Sequence, residues 1–229
     1  MTNISPRIFT LHRLRTLGSP LPQSVTKANT PYAIDISTKF SSVSSDLQDL
    51  NAHRYARQIS GGCQEYIEAA SFSHYLTTAS LLTYPEAIDQ VRRQSGDGEA
   101  SVDLSYEDYL LGIYDFTGEL MKFGITAMAT TGSLPSSSTP SSTDADAMDT
   151  SSTKDRNLLT DLRTLRSDLE ALNTGFGPFA KEVDKKMEVM KQSVEKVEKA
   201  LYGLTVRADE RPKGWMPDLS ESRAVEVEG

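Results

Sequence analysis

The chain has 229 residues, a mass of 25.2 kDa and 38% hydrophobic residues, enough for one large domain or two small ones with a sizeable core. A single cysteine, Cys63, excludes an intramolecular disulfide, and with only three histidines, at positions 12, 53 and 74, the chain cannot assemble a zinc cluster of thiolates and imidazoles. The 24 basic and 32 acidic residues give a formal charge of −8, which argues against a protein that holds nucleic acid alone by bulk charge.

The apolar stretches and the start of the chain indicate an intracellular soluble protein. No apolar run approaches the roughly 20 residues that a membrane-spanning helix needs, and the start lacks the continuous apolar stretch of a secretory signal. The Arg-rich start also resembles a weak mitochondrial transit peptide, but a glycine and three prolines break any long amphipathic helix there: Pro6, Gly18, Pro20 and Pro22. We therefore expect no membrane association.

Helical periodicity organises the first part of the chain. After a short helical piece around residues 8–14, residues 18–33 are rich in Gly, Pro, Ser and Thr without a period and are predicted to be a connector. From Ile36 the apolar residues recur at steps of four and three, which predicts an amphipathic helix. Asn51 is a predicted break because Asn caps well, and the pattern then continues to about Leu82.

A loop and a low-complexity insertion separate the later helices. Residues 92–104 contain two glycines and predict a loop. Ser105, followed three positions later by Asp108, resembles a capping box that opens a helix over 106–129. Residues 133–153 hold almost no large apolar side chain and predict a disordered insertion.

Two further helices are predicted after the insertion. Leucines recur at steps of four and three over 158–172, and glycines at 175 and 177 lie where that helix should stop. Pro178 suits the first turn of the last helix, whose apolar residues keep a heptad register over 183–204. Because strand signals are absent, the predicted fold class is all-α, a bundle of five to six helices.

Two pairs of carboxylates stand among apolar neighbours, where acidic residues are informative. Glu65 and Glu68 are three residues apart, and Asp115 and Glu119 are four apart, so each pair lies on one stripe of its helix. Apolar side chains crowd Asp115 in particular: Leu110, Leu111, Ile113, Tyr114, Phe116 and Leu120. An unpartnered Asp buried there would be costly or neutral.

Glycines accompany both pairs, with Gly61 and Gly62 before the first and Gly112 and Gly118 around the second. An interior glycine costs about 1 kcal/mol relative to Ala, which indicates close helix approach or a narrow site. If the two helices cross there, four carboxylates converge, and Mg²⁺ or Mn²⁺ prefers such oxygen ligands. The plainer alternative is that both pairs are solvated charges or salt-bridge partners on ordinary helices.

Three segments resemble the translin family and, within it, the translin-associated factor X group. They are residues 64–72 (QEYIEAASF), 108–121 (DYLLGIYDFTGELM) and 191–207 (KQSVEKVEKALYGLTVR). The match spans about residues 36–207. The two carboxylate segments are the specific ones, because translin itself shares the fold but lacks this acidic set.

The resemblance implies a seven-helix α-superhelical fold and assembly with translin into a closed, largely octameric shell that encloses RNA. In this family the translin-associated subunit is the Mg²⁺-dependent endoribonuclease for single-stranded RNA, in removal of the silencing passenger strand or in processing of transfer-RNA precursor fragments. By position, Glu65, Glu68 and Asp115 match the family's catalytic acids, and Glu119 matches a fourth carboxylate. These four are therefore the expected catalytic residues and ligands of Mg²⁺, or Mn²⁺, in a protein of the cytoplasm and nucleus.

The chain departs from the family pattern near its start and in the middle. Only residues 7–13 (RIFTLHR) look like the end of the long first helix, so six to seven helices are expected, and the usual basic nuclear-targeting stretch is missing. The insertion at 133–153 is expected to be a surface loop that leaves the core untouched. We predict a poorly ordered segment over 1–33, one helical domain over 34–208 and a flexible tail over 209–229.

Other polar residues are predicted to be structural. His74 lies nine residues beyond Glu65, roughly half a turn away, and is expected to be a packing or surface residue. Cys63 lies on an apolar stripe and is expected to be a buried thiol. The basic pairs at 92–93 and 185–186 are expected to be solvated surface, with phosphate contact as the alternative.

Two rival functions remain from the sequence. The first is a non-catalytic scaffold that stabilises translin and tunes its binding of nucleic acid, with the carboxylates merely structural. The second is a helical adaptor with no role in RNA handling, which the heptad register alone would allow.

Overall fold

A computed structural model describes residue 8 and residues 10–95, 100–136 and 156–207, and within those ranges the chain is all-α. In the described ranges six named helices follow one another: α1 (Gln23–Ser44), α2 (Leu50–Thr78), α3 (Tyr84–Ser95), α4 (Tyr106–Thr131), α5 (Leu158–Glu170) and α6 (Pro178–Arg207). A single isolated β-bridge, between Ser136 and Asn157, is the only β-pairing in the described ranges. The all-α prediction is confirmed.

Helix α4 is the centre of the fold. It packs along α2 on one side and along α6 on the other, while α5 lies against α6 and α4, and α1 lies against α3. The ring of Phe72 on α2 meets that of Phe123 on α4 edge to face, with centroids 6.0 Å apart. Among the helices of the described ranges, none is long and apolar enough to cross a membrane.

The predicted connector over 18–33 is wrong from Gln23 onward, because α1 begins there. Pro31 lies inside this helix, and such a residue removes one backbone donor. Hydroxyl groups of the helix bond back to its carbonyls, as Thr30 does to Thr26 at 2.9 Å. Val25 is buried in the core, so tertiary packing supports a segment whose composition suggested a loop.

The predicted helix breaks are confirmed within a few residues. Helix α1 ends at Ser44, before the predicted break near Asn51, and Asp49 has a φ of 52° immediately before α2. Helix α2 ends at Thr78, four residues before the predicted Leu82, and the next residue, Ala79, has a φ of 54°. The predicted loop starts only after Ser95, where α3 ends.

The two ends of the predicted insertion lie side by side. The backbone N–H of Leu158 donates to the carbonyl of Pro135 at 3.0 Å, next to the bridge of Ser136 with Asn157. The interior of the insertion, residues 137–155, and the predicted tail over 209–229 lie outside the described residues. The domain limits at 34 and 208 stay predictions.

One glycine sets the distance between α2 and α4. A Cβ added at Gly112 would lie 2.8 Å from Cβ of Ile67 and 2.9 Å from the carbonyl oxygen of Gln64. Close helix approach was predicted for this glycine and is confirmed. Gly61 and Gly118 differ, because a Cβ at either position would meet nothing within 4 Å.

Candidate active site at the α2–α4 crossing

Four polar residues lock the start of α4 onto α2. The Ser105 hydroxyl accepts from the backbone N–H of Asp108 at 3.0 Å and donates to its carboxylate at 2.8 Å, so the predicted cap is confirmed. From α2, the Ser60 hydroxyl and the Gln64 amide both donate to the other oxygen of Asp108, the amide at 3.1 Å. We call Ser60, Gln64, Ser105 and Asp108 the capping cluster.

Farther along the same helix pair, three of the four predicted carboxylates come together. Glu68 on α2 and Asp115 on α4 are half-buried, and Glu119 on α4 is buried. Glu65 is exposed and makes no hydrogen bond or ion pair with the described residues. We call Glu68, Asp115 and Glu119 the carboxylate site.

Glu68 interacts with both other carboxylates of the site. Burial first, and then the charges of Glu119 and Asp115, raise the pKa of Glu68 from an ordinary value of 4.5 to about 7, partly opposed by Lys122. A hydrogen bond with Glu119 also favours the protonated form. Ionisation of all three carboxylates is therefore unfavourable unless a cation accompanies them.

Glu119 is held by two basic side chains. Nε2 of His12 lies 2.5 Å from Oε2, and the Lys122 ammonium donates to Oε1 at 2.6 Å. Burial alone would raise the pKa of Glu119, but the hydrogen bonds and charges of these two partners hold it below its ordinary value. Glu119 therefore stays ionised although its side chain is only 7% exposed.

Asp115 is held from the other side of α4. The Lys186 ammonium, on α6, donates to both carboxylate oxygens at 2.5 Å. The side chains of Asp115 and Lys186 are 37% and 24% exposed, so this ion pair borders on solvent. The prediction of Lys186 as solvated surface therefore needs correction, because its ammonium joins α6 to the carboxylate site.

The donor set of the carboxylate site suits a hard divalent cation. Three carboxylates supply oxygen atoms, and their mutual repulsion is the kind that Mg²⁺ or Mn²⁺ relieves. In the described ranges, however, no group of three or more His, Cys, Asp or Glu side chains is arranged to hold a metal ion. The role of these residues, and of Glu65, as metal ligands therefore stays a prediction.

Two other predicted structural residues lie apart from this site. Cys63 is buried, and burial first, then the charge of Asp108, raises the pKa of its thiol to about 12, so it is unreactive. His74 lies near the end of α2 with Nε2 3.2 Å from the hydroxyl of Ser80. The burial of Cys63 and the contact of His74 with Ser80 agree with packing roles.

Sequence reasoning missed His12, Lys122 and Lys186 as partners of the carboxylates. Lys122 is three residues from Glu119, so a helical i, i+3 pair was open to prediction. His12 and Lys186 are 107 and 71 residues away from their partners, and no local spacing connects them. Only tertiary structure reveals these contacts.

The chain shares this sequence pattern with known proteins. A profile of the translin family matches residues 2–208. The chain belongs to the translin family. Translin-associated protein X of Mus musculus is 30% identical, over 93% of this chain and 71% of the mouse protein. The Translin-associated protein X homolog of Schizosaccharomyces pombe is 29% identical, over 89% of this chain and 76% of the yeast protein.

Proposed function

We propose that this translin-family chain is the metal-dependent endoribonuclease subunit of a hetero-oligomer with translin, and that it hydrolyses single-stranded RNA with Mg²⁺ or Mn²⁺. The observation that carries the proposal is the meeting of Glu68, Asp115 and Glu119 at the α2–α4 crossing. The similarity of the chain to proteins named for association with translin supports translin as the partner.

The carboxylate site supplies the binding chemistry. Glu68, Asp115 and Glu119 would hold the cation, with Glu65 reaching it from the exposed turn before Glu68. When bound, the cation supplies an acidified water and positive charge for the scissile phosphate. Glu68 would bind as the carboxylate, so it must release the proton that its raised pKa favours in the free protein.

The basic side chains take complementary roles. Lys186, which holds Asp115 in the free protein, would release this carboxylate if it bound a cation, and its ammonium would then be free to contact a phosphate oxygen of the RNA. His12 and Lys122 keep Glu119 ionised and ready to bind. A net acidic chain then relies on the translin partner for much of its RNA-binding surface.

Cleavage of a labelled single-stranded RNA by the co-expressed complex tests this proposal. Wild type should cleave with Mg²⁺ and stop with EDTA, and Glu68→Gln should lose cleavage while the complex still assembles. A complex that binds RNA and never cuts it, with either Mg²⁺ or Mn²⁺, contradicts the proposal.

A scaffold that stabilises translin and modulates its nucleic-acid binding is the second candidate. It is favoured by the ion pairs at the site, because Asp115 and Glu119 already have basic partners and do not need a metal. Under this function, charge-removing variants of the carboxylates would change assembly or thermal stability and leave RNA binding unaltered.

Wider features of the complex belong to the same proposal. We place the chain in a closed octameric shell in the cytoplasm and nucleus, acting on silencing passenger strands or transfer-RNA fragments. Mass measurement of the purified complex and sequencing of RNA that it retains would test the two parts separately.

A further inference from the structure

We propose that His12 is a positioning residue of the carboxylate site, carried there by the segment 10–18, and that it fixes Glu119 for binding of a divalent cation. This inference rests on the proposed function. It concerns a residue that lies outside both carboxylate helices and makes one short contact with the site.

The segment 10–18 is fastened on both sides of His12. Leu11 is fully buried and Leu17 is 6% exposed, so apolar packing fixes the backbone before and after the histidine. The backbone N–H of Gly18 donates to the carbonyl of Leu76 at 3.0 Å, which ties the end of the segment to α2. Thr10 donates to the Asn29 side chain of α1 at 2.5 Å.

Arg15 stiffens the same segment from within. Its guanidinium donates to the carbonyl oxygens of His12 and Leu14 at 2.5 and 2.6 Å and to the Thr130 hydroxyl of α4 at 2.9 Å. Three donated bonds from one planar group leave the backbone at His12 little freedom. The segment therefore presents the histidine ring from a fixed frame.

The ring of His12 is itself fixed. Its centroid lies 4.7 Å from that of Phe72, a fully buried side chain of α2. With the ring packed there, Nε2 points at Oε2 of Glu119 and donates to it across 2.5 Å. A carboxylate held in this way is oriented for its ligand, which is how partners outside the ligand shell tune metal affinity.

His12 constrains Glu119 more than Lys122 does. The Lys122 side chain is 59% exposed, so water screens its contact with Glu119. The His12 side chain is 18% exposed and packs against an aromatic ring. Removal of the His12 contact should therefore release Glu119 far more than removal of Lys122.

Mn²⁺ binding by the full-length chain in complex with translin tests the inference. Free Mn²⁺ is measured by electron paramagnetic resonance, and a complex that carries Glu68→Gln and Asp115→Asn provides the blank. His12→Ala should weaken Mn²⁺ binding about 10-fold, and His12→Gln, whose amide can still donate, should restore most of it. His74→Ala is the matched control and should bind Mn²⁺ like the wild type.

The outcomes separate this inference from the proposed function. If the wild type binds Mn²⁺ and His12→Ala binds it equally well, the positioning role is overturned while the metal site stands. If His12→Gln binds Mn²⁺ as weakly as His12→Ala although both variants melt like the wild type, the inference that His12 acts by donating a hydrogen bond is overturned. If the wild type binds no more Mn²⁺ than the blank, both the metal site and the positioning role fall.

Discussion

The capping cluster and the carboxylate site are two acidic clusters on one pair of helices, and they are stabilised differently. Asp108 of the capping cluster accepts hydrogen bonds from neutral partners, two on α2 and one at the start of its own helix. At the carboxylate site, Glu119 and Asp115 rely on basic partners, His12 and Lys186, from distant parts of the chain. A carboxylate that accepts hydrogen bonds from uncharged partners is typical of structure, whereas crowded carboxylates with basic partners are typical of a binding site.

The largest difference between the clusters should be in catalysis. Asp115→Asn should lower RNA cleavage by the complex about 100-fold or more, because a neutral amide is a poor ligand for Mg²⁺. Its melting temperature should change little, because the lost ion pair with Lys186 borders on solvent.

Asp108→Asn is the matched control for that variant. It should keep cleavage near the wild-type rate and lose about 1 kcal/mol of stability, since one hydrogen bond from Ser105 or Ser60 is lost. Equal loss of cleavage in both variants would show that the two clusters act as one unit.

The contact between α2 and α4 at Gly112 should be sensitive to one added methyl group. Gly112→Ala places a Cβ 2.8 Å from Ile67 and 2.9 Å from a backbone oxygen, so α2 and α4 must move apart. We expect the free energy of unfolding to fall by about 2 kcal/mol, which lowers the melting temperature by about 4–8 °C.

Gly118→Ala, on the same helix, gives the opposite expectation. A Cβ there meets nothing within 4 Å, so the change should be neutral or stabilise by up to about 1 kcal/mol. Calorimetry of both variants checks the pair, and equal destabilisation would contradict the close approach at Gly112.

The helix cap at Ser105 should contribute less to stability than the close approach at Gly112. Ser105→Ala removes the acceptor for the N–H of Asp108 and the donor to its carboxylate, which should cost about 1 kcal/mol. Ser105→Asp retains an acceptor at the cap but adds charge beside Asp108, so it should recover only part of that loss. Urea unfolding of the three proteins measures the order.

The smallest expected effect is a pH dependence of stability. The folded-state pKa of Glu68 is about 7 against an ordinary 4.5, so the folded protein binds more protons than the unfolded one between these values. The contribution of Glu68 to the free energy of unfolding is fully present below about pH 4.5 and is lost as the pH rises through about 7.

Glu68→Gln removes this dependence. In EDTA, its melting temperature should gain on the wild type by a few degrees between pH 5 and pH 8. Scanning calorimetry at the two pH values measures the gain. A difference that stays constant with pH would show that Glu68 is not crowded by Glu119 and Asp115.

Local patterns predicted most of the helices and the three acidic residues that lie together, Glu68, Asp115 and Glu119. The cap at Ser105 and the stop before Pro178 depend on neighbours in sequence, and the interior glycine at 112 indicated a close approach of helices. Helix α1 was only half predicted, because buried contacts of residues such as Val25 outweigh the local cost of Pro31.

The partners of the carboxylates were not predictable in the same way. His12 and Lys186 reach their carboxylates through the packing of the first segment and of α6, so a single sequence carries no spacing that joins them. The exposure of Glu65 likewise depends on which face of α2 meets α4, because a three-residue spacing does not decide which of two carboxylates turns inward.

The most direct test of the metal site is a crystal structure of the complex with translin, grown with Mn²⁺ and measured for anomalous scattering. We expect an anomalous peak among the oxygens of Glu68, Asp115 and Glu119, with the Lys186 ammonium displaced from Asp115. No peak there at millimolar Mn²⁺, with both Lys186 bonds intact, would contradict the metal site and leave the scaffold function.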